Sequence, residues 1–183
     1  SLIVVPMDAP GLEIAHYHWT FNMPSDHAEV RLRNVRVPAD AFVGREGQGL
    51  ALAQHFVHQN RIRQAAQSTG VARYCIQEAV RYARERKSFG RELSTHQAIQ
   101  FPLAEMHAEC QILREFVFKV AWEMDRRPHD EISDQVAIAN FRANRLACNA
   151  ADLAIQVHGG IGYTRAKPFE HFYRHHRRYR ITE

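Results

Sequence analysis

The chain is 183 residues long, 45% hydrophobic and 24% charged, an ordinary globular composition sufficient for one large domain or a domain with an appendage. No apolar run of about 18 residues occurs, and Ser1-Leu2-Ile3-Val4-Val5-Pro6 lacks a basic flank and a long apolar region, so a soluble protein without a membrane span or signal peptide is expected. The net charge of +4 is small, but Arg174, Arg177, Arg178 and Arg180 crowd beside His171, His175 and His176, a bias that suits a polyanionic small molecule; without a groove-reading motif, no nucleic-acid partner is expected.

Strand signals occupy residues 1–43: Leu2-Ile3-Val4-Val5, Gly11-Leu12-Glu13-Ile14, Val30-Arg31-Leu32-Arg33, and Val35-Arg36-Val37 stopped by Pro38. So few strands leave open edges, so this stretch is expected to be a small β remnant, the end of a β domain whose other strands lie elsewhere. From Gly49 the period becomes helical. A first helix is predicted from about Leu50 to Arg86, with Gly70 inside it and Phe89-Gly90 at its end. A second starts at Thr95 as N-cap, tolerates Pro102 and runs to Met124 before Arg127-Pro128. A third runs from Ser133 to about Val157, stopped by Gly159-Gly160, and a short fourth covers Pro168 to His176. Short links between long helices give a mainly α chain: an antiparallel four-helix-type bundle over residues 44–183, preceded by the β remnant. Cys75, Cys110 and Cys148 are odd in number and each lies in an apolar helical pattern, which suits buried thiols in a reducing intracellular compartment.

Four stretches stand out in order: Asn34-Val35-Arg36-Val37-Pro38 with Gly44-Arg45-Glu46-Gly47-Gln48-Gly49; Arg86-Lys87-Ser88-Phe89-Gly90 with Gln97 and Leu103-Ala104-Glu105-Met106; Gln156-Val157-His158-Gly159-Gly160-Ile161-Gly162-Tyr163; and Arg174 to Ile181-Thr182-Glu183. A guanidinium fork and a hydroxyl at a helix end suit a diphosphate, and a charged helix terminus with a turn is the plainer reading of the second stretch alone. Glycines after a helix let a backbone approach a ligand or simply cap the helix; no strand precedes them, so they are not a dinucleotide-fold fingerprint.

Taken together, these stretches resemble the acyl-CoA dehydrogenase family over nearly the whole chain. The resemblance implies residues 1–43 as the end of the middle β domain and residues 44–183 as the C-terminal helical bundle, truncated at its end. It implies FAD as cofactor, with Arg86, Ser88 and Phe89 reaching the flavin's pyrophosphate and ribityl region across a dimer interface and Gln97 nearby. Gln156, Gly159 and Gly160 would serve its adenine or phosphate end. Glu183 falls on the catalytic base, whereas Asn60, at the alternative base position of some members, offers no basic chemistry. Arg61 and Thr182 fall beside the substrate, with a solvated helix arginine as the other reading of Arg61.

The implied reaction is α,β-dehydrogenation of an acyl-CoA thioester to a trans-2-enoyl-CoA, with electrons passing to an electron-transferring flavoprotein. The α-proton of a thioester is weakly acidic, so Glu183 must be poised over that carbon while hydrogen bonds hold the carbonyl oxygen. Desolvation beside the flavin is expected to make that carboxylate more basic. A homodimer or homotetramer is implied, in the cytoplasm of a bacterium or the mitochondrial matrix of a eukaryote, and the chain alone is expected to be inactive. A same-fold flavin oxidase or monooxygenase is the alternative enzyme, and a non-catalytic assembly bundle the alternative of another class. Departures from the family pattern fall at Ala166, His171, His175 and His27 and bear on acyl specificity more than on fold. His55/His58 and His171/His175 have helical spacing, but neither pair is joined by a carboxylate or cysteine in a standard ligand pattern, so no metal is expected.

Overall fold

The computed structural model describes residues 1–21 and 23–182, the last for its backbone alone. It divides into two compact units, Ser1–Val57 and His58–Glu183. In the first, β1 (Leu12–Tyr17) pairs antiparallel with β2 (Ala28–Leu32), with Leu12 opposite Leu32 and an irregularity between Ile14 and His16. Gly11 starts β1 at φ +93, and a Cβ there would lie 2.2 Å from the Arg33 carbonyl oxygen, so only glycine fits. The other two expected strands do not form. Leu2–Val5 is reduced to a single bridge from Ile3 to Phe42. Val35–Val37 leaves the ladder because Asn34 turns the chain at φ 52 and Pro38 has no amide to donate. β2 is exposed along its whole length, and Trp19 is 86% exposed.

The second unit is helical: the part of α1 (Gly49–Glu85) from His58 onward, α2 (Gln97–Met124), α3 (Ser133–His158), the single turn α4 (Gly160–Tyr163) and α5 (Phe169–Thr182). Its core draws Ala72, Ala79 and Ala83 from α1, Leu103 and Leu113 from α2, Leu146 and Ala150 from α3, and Phe169 from α5. The alanines let α1 and α3 approach closely, while Leu and Phe fill the space against α2 and α5. Ser68 meets Asn144, and fourteen residues on, Tyr82 meets His158, so α1 and α3 run parallel. His158 also meets Phe169 while Asn144 meets the Tyr179 carbonyl, so α5 runs antiparallel to α3. The chain is thus mainly α, a four-helix bundle with a small β portion, and among the described residues no helix is long and apolar enough to cross a membrane.

Three boundaries differ from the sequence reading. Between α1 and α2 the chain forms a hairpin, β3 (Lys87–Ser88) against β4 (Arg91–Glu92), where only a helix end was expected. α2 begins at Gln97 because Thr95 donates its hydroxyl to the Glu92 carbonyl at 2.7 Å within a 3-10 turn and so does not cap the helix. Pro102 lies inside α2 without ending it, at the cost of the bond its amide would have made to the Ala98 carbonyl. α5 continues past His176 to Thr182, since no glycine or proline follows Phe169 and its buried face continues on polar groups.

Cys75, Cys110 and Cys148 are all free and buried. Burial pushes the Cys75 thiol up to about 12 and raises the other two. A thiol-specific chromogenic reagent is therefore expected to label none of them quickly in the native chain and all of them in denaturant. Fast stoichiometric labelling of the folded form would contradict this packing.

Candidate active site

At the end of α1 the Arg86 amide donates to the Tyr82 carbonyl at 2.8 Å, and the Arg86 carbonyl accepts from Leu93 at 2.9 Å, closing the hairpin over Phe89-Gly90. Both turn residues have positive φ, 52° and 81°, the signature of a type I′ turn. Phenylalanine is an unusual choice for the first position, since a left-handed conformation costs a side-chain-bearing residue about 1–2 kcal/mol. Its ring is also 99% exposed, so no packing among the described residues repays that cost. Such a residue is shaped for a contact outside its own fold. Phe89→Asn, which tolerates the same backbone, is expected to raise thermal stability slightly while weakening whatever the ring contacts; an unchanged or lower Tm would remove the case for strain. Arg86 and Gln97 are exposed at the base of this hairpin, and Ser88 is half-buried on it.

The second glycine-bearing stretch ends α3. Gly159 adopts φ 63 and ψ −139, a combination essentially reserved for glycine. A Cβ on Gly159 or Gly160 would meet nothing within 4 Å, so the backbone here is open to a ligand. Gly162 is different: its Cβ would fall 2.7 Å from the Ile155 carbonyl oxygen and 2.8 Å from the His158 Cβ, so it serves the fold by letting α4 turn back against α3. Between them His158 is buried, stacked on Tyr82 at 4.3 Å and tilted against Phe169 at 4.6 Å. Its Nδ1–H donates to the Ala154 carbonyl at 2.8 Å, and burial lowers its pKa, favouring the neutral ring. This aromatic stack joins the end of α1, the end of α3 and the start of α5. The Arg86–Phe89 hairpin and the Gln156–Gly160 turn therefore stand at the same end of the bundle. Behind the hairpin a groove of about 670 Å3 separates α1 from α2, its apolar lining including Ile76, Val80 and Leu103 and its polar lining including Arg84, Gln100 and His107.

Arg61 belongs to the other end. Glu183 and the Thr182 side chain lie outside the described residues. Arg61 is half-buried with its Nε unpartnered, and Gln64, one turn further, is 5% exposed with its Oε1 unpartnered. At about 1.5 Å per residue, Arg61 and Arg86, the latter just past the end of α1, are roughly 38 Å apart along the helix axis. The antiparallel course of α5 carries its C-terminal end toward Arg61 and away from the hairpin.

Between the two ends lies a polar layer within the core. The Ser68 hydroxyl donates to Asn144 Oδ1 at 2.5 Å and faces His176 Nδ1 at 3.0 Å, which must then carry the proton. All three side chains are buried, His176 to 1% exposure. Burial lowers the His176 pKa from 6.5 to about 4, with positive charge on His175, Arg178 and His171 acting in the same direction. The unfolded chain takes up this proton near pH 6.5 and the folded chain only near 4, so the associated stability is whole above 6.5 and is lost as the pH falls toward 4. His158 and His175, both lowered first by burial, add to the same trend. Tm is expected to drop across that window and to drop less in His176→Phe; parallel curves would show that His176 does not titrate there.

None of Ser68, Asn144 or Gln64 was singled out by sequence. Their signal was positional: Ser68 stands four residues before Ala72 on the apolar stripe of α1, and Asn144 follows Ala143 on that of α3. Within the C-terminal basic cluster, Arg174 pairs with Glu170 at 2.7 Å. Among the described residues no group of three or more His, Cys, Asp or Glu is arranged to hold a metal; His171 and His175 stack at 5.8 Å.

The acyl-CoA dehydrogenase C-terminal domain matches residues 47–183, a span that includes both glycine-bearing stretches and the last helix. The chain belongs to the acyl-CoA dehydrogenase family. It is 38% identical over 165 residues to the probable acyl-CoA dehydrogenase YngJ of Bacillus subtilis, covering 89% of this chain and 43% of that protein. Among solved structures, an acyl-CoA dehydrogenase from Geobacillus kaustophilus superposes with a TM-score of 0.88 at 29% identity, covering 100% of this chain and 48% of that one. Butyryl-CoA dehydrogenase from Megasphaera elsdenii superposes with a TM-score of 0.85 at 28% identity, covering 98% and 47%. The chain thus spans less than half the length of these acyl-CoA dehydrogenase relatives.

Proposed function

We propose that this chain is the catalytic C-terminal part of an FAD-dependent acyl-CoA dehydrogenase that converts an acyl-CoA thioester to its trans-2-enoyl form, with Glu183 as the α-proton base. The observation that carries the reading is the juxtaposition of the Arg86–Phe89 hairpin and the Gln156–Gly160 turn, which presents a guanidinium, a hydroxyl, an outward aromatic ring and an open glycine backbone at one end of the bundle. That donor set fits a flavin dinucleotide: Arg86 and Ser88 suit a pyrophosphate, Phe89 an apolar ring face, and Gln156 and Gly159 the adenosine side, with Gln97 beside the hairpin. The flavin, when bound, supplies the hydride acceptor. Residues 1–43, with two exposed strands, are read as belonging to the β domain that precedes the bundle in the family.

The chain's own part in the reaction is proton removal and positioning. One oxygen of the Glu183 carboxylate accepts the α-proton, and the backbone amide of the same residue donates to the thioester carbonyl oxygen, where charge accumulates. Arg61 and Thr182 flank the acyl-CoA. Because Arg61 and Arg86 are roughly 38 Å apart, a dinucleotide held by the hairpin is read as lying too far from Arg61 to serve the substrate beside it in the same bundle. The hairpin of one copy therefore serves the flavin at the base of another, and the working unit is at least a homodimer. Reduced flavin would then pass electrons to an electron-transferring flavoprotein.

Co-expressing Glu183→Gln and Arg86→Ala copies of the enzyme tests this arrangement. Each parent is expected to be inactive or nearly so. A mixed dimer regains one intact site, joining the base of the Arg86→Ala copy to the hairpin of the Glu183→Gln copy. Failure of the mixture to exceed both parents would rule out sharing between copies.

A further inference from the structure

Resting on the reading of Glu183 as the base, we propose that Ser68, Asn144 and His176 are positioning residues that fix the rotation and height of the C-terminal half of α5 and so set where Glu183 is presented. Among the described residues, the apolar core contacts of α5 come from its first turns, through Phe169, Phe172 and Tyr173. Beyond Tyr173 that anchorage stops: Ile181 is 75% exposed, and the fully buried group is His176. What ties this half to the bundle is hydrogen bonding. His176 is held by Ser68 of α1, and the Tyr179 carbonyl, in the last turn of α5, accepts from Asn144 Nδ2 at 3.3 Å.

Asn144 is the hub. Its amide nitrogen donates to Asn140 Oδ1 at 2.8 Å as well as to Tyr179, and its oxygen accepts from Ser68, so its donors and its acceptor are all engaged. Apolar contacts tolerate sliding, because one buried methylene substitutes for another. A buried hydrogen-bond set does not: a one-residue slip of α5 turns each side chain by about 100° and shifts it about 1.5 Å, leaving donors and acceptors unpaired in the core. The ties fall on successive turns of α5, at residues 176 and 179, so together they define both rotation and translation. A polar layer in a bundle is a device for choosing one register over near neighbours, and here the helix it registers carries the proposed base at its end.

The test uses the flavin-loaded enzyme with Ser68→Ala, His176→Phe and the double variant. Alanine removes the hydroxyl with little change in volume, and phenylalanine keeps a buried ring. Each single variant is expected to keep its flavin and KM while kcat falls on the order of 10–100-fold, the effect of displacing a reacting group by about 1 Å. The double variant is expected to fall no further than the worse single, since both cut one tie. Hydrogen exchange should quicken at residues 177–182 and stay unchanged at 169–173. An unchanged kcat, multiplicative losses in the double variant, or uniform quickening along α5 would each overturn the positioning role. Glu183→Gln is run alongside: if it stays active, the base assignment fails, and the exchange pattern still decides whether the polar layer registers the helix.

Discussion

Glu183→Gln is expected to reduce acyl-CoA dehydrogenation by a factor of about 10²–10⁴ while leaving flavin content and thermal stability at wild-type levels. The amide matches the carboxylate in shape and has no basic oxygen, so it removes the proton acceptor without removing volume. Every described residue assigned to the flavin lies at the hairpin end of the bundle, and the substitution alters none of them. A variant that lost flavin along with turnover would point to a structural role for Glu183, and a variant that kept turnover would exclude it as the base.

Arg86→Ala is expected to act in the opposite way, releasing flavin from the assembled enzyme with little effect on the fold of the bundle. A hydrogen bond to a charged partner is worth about 1.5–3 kcal/mol, which corresponds to roughly a 10- to 150-fold weaker affinity. Lysine at this position should recover only part of it, because a point charge cannot reproduce the guanidinium fork. Flavin retention through gel filtration, followed by titration of the stripped protein, measures the change. Equal affinity in the alanine variant would leave Arg86 as an ordinary charged helix end.

The bundle was legible because its helices announce themselves: α1 and α3 carry alanine-rich stripes at helical spacing, and proline or paired glycines close α2 and α3. The hairpin was not legible, since Lys87–Ser88 and Arg91–Glu92 are too short to show alternation, and a type I′ turn is ordinarily marked by Asn-Gly rather than Phe-Gly. Val35–Val37 misled for the reverse reason: β-branched residues signalled a strand, but a left-handed Asn34 took them out of any ladder. Of the flavin candidates, the sequence located the motifs; only the fold placed Gln156 and Arg86 at one end through the Tyr82–His158 stack. The Ser68–Asn144–His176 layer escaped notice because polar residues on an apolar stripe read singly as tolerated exceptions. Their meaning lies in pairing across residues 76 and 108 positions apart.

The chain's two tryptophans illustrate how placement governs what an experiment can see. Trp19 and Trp122 are 86% and 59% exposed, and the Arg126 guanidinium covers the Trp122 ring at 4.2 Å. Both indoles are already largely hydrated in the native state, so their emission starts red-shifted and moves little when the core comes apart. Helix loss by far-ultraviolet dichroism will report the melting of the bundle, and a Trp122 signal that responds to salt will report the loosening of its arginine lid.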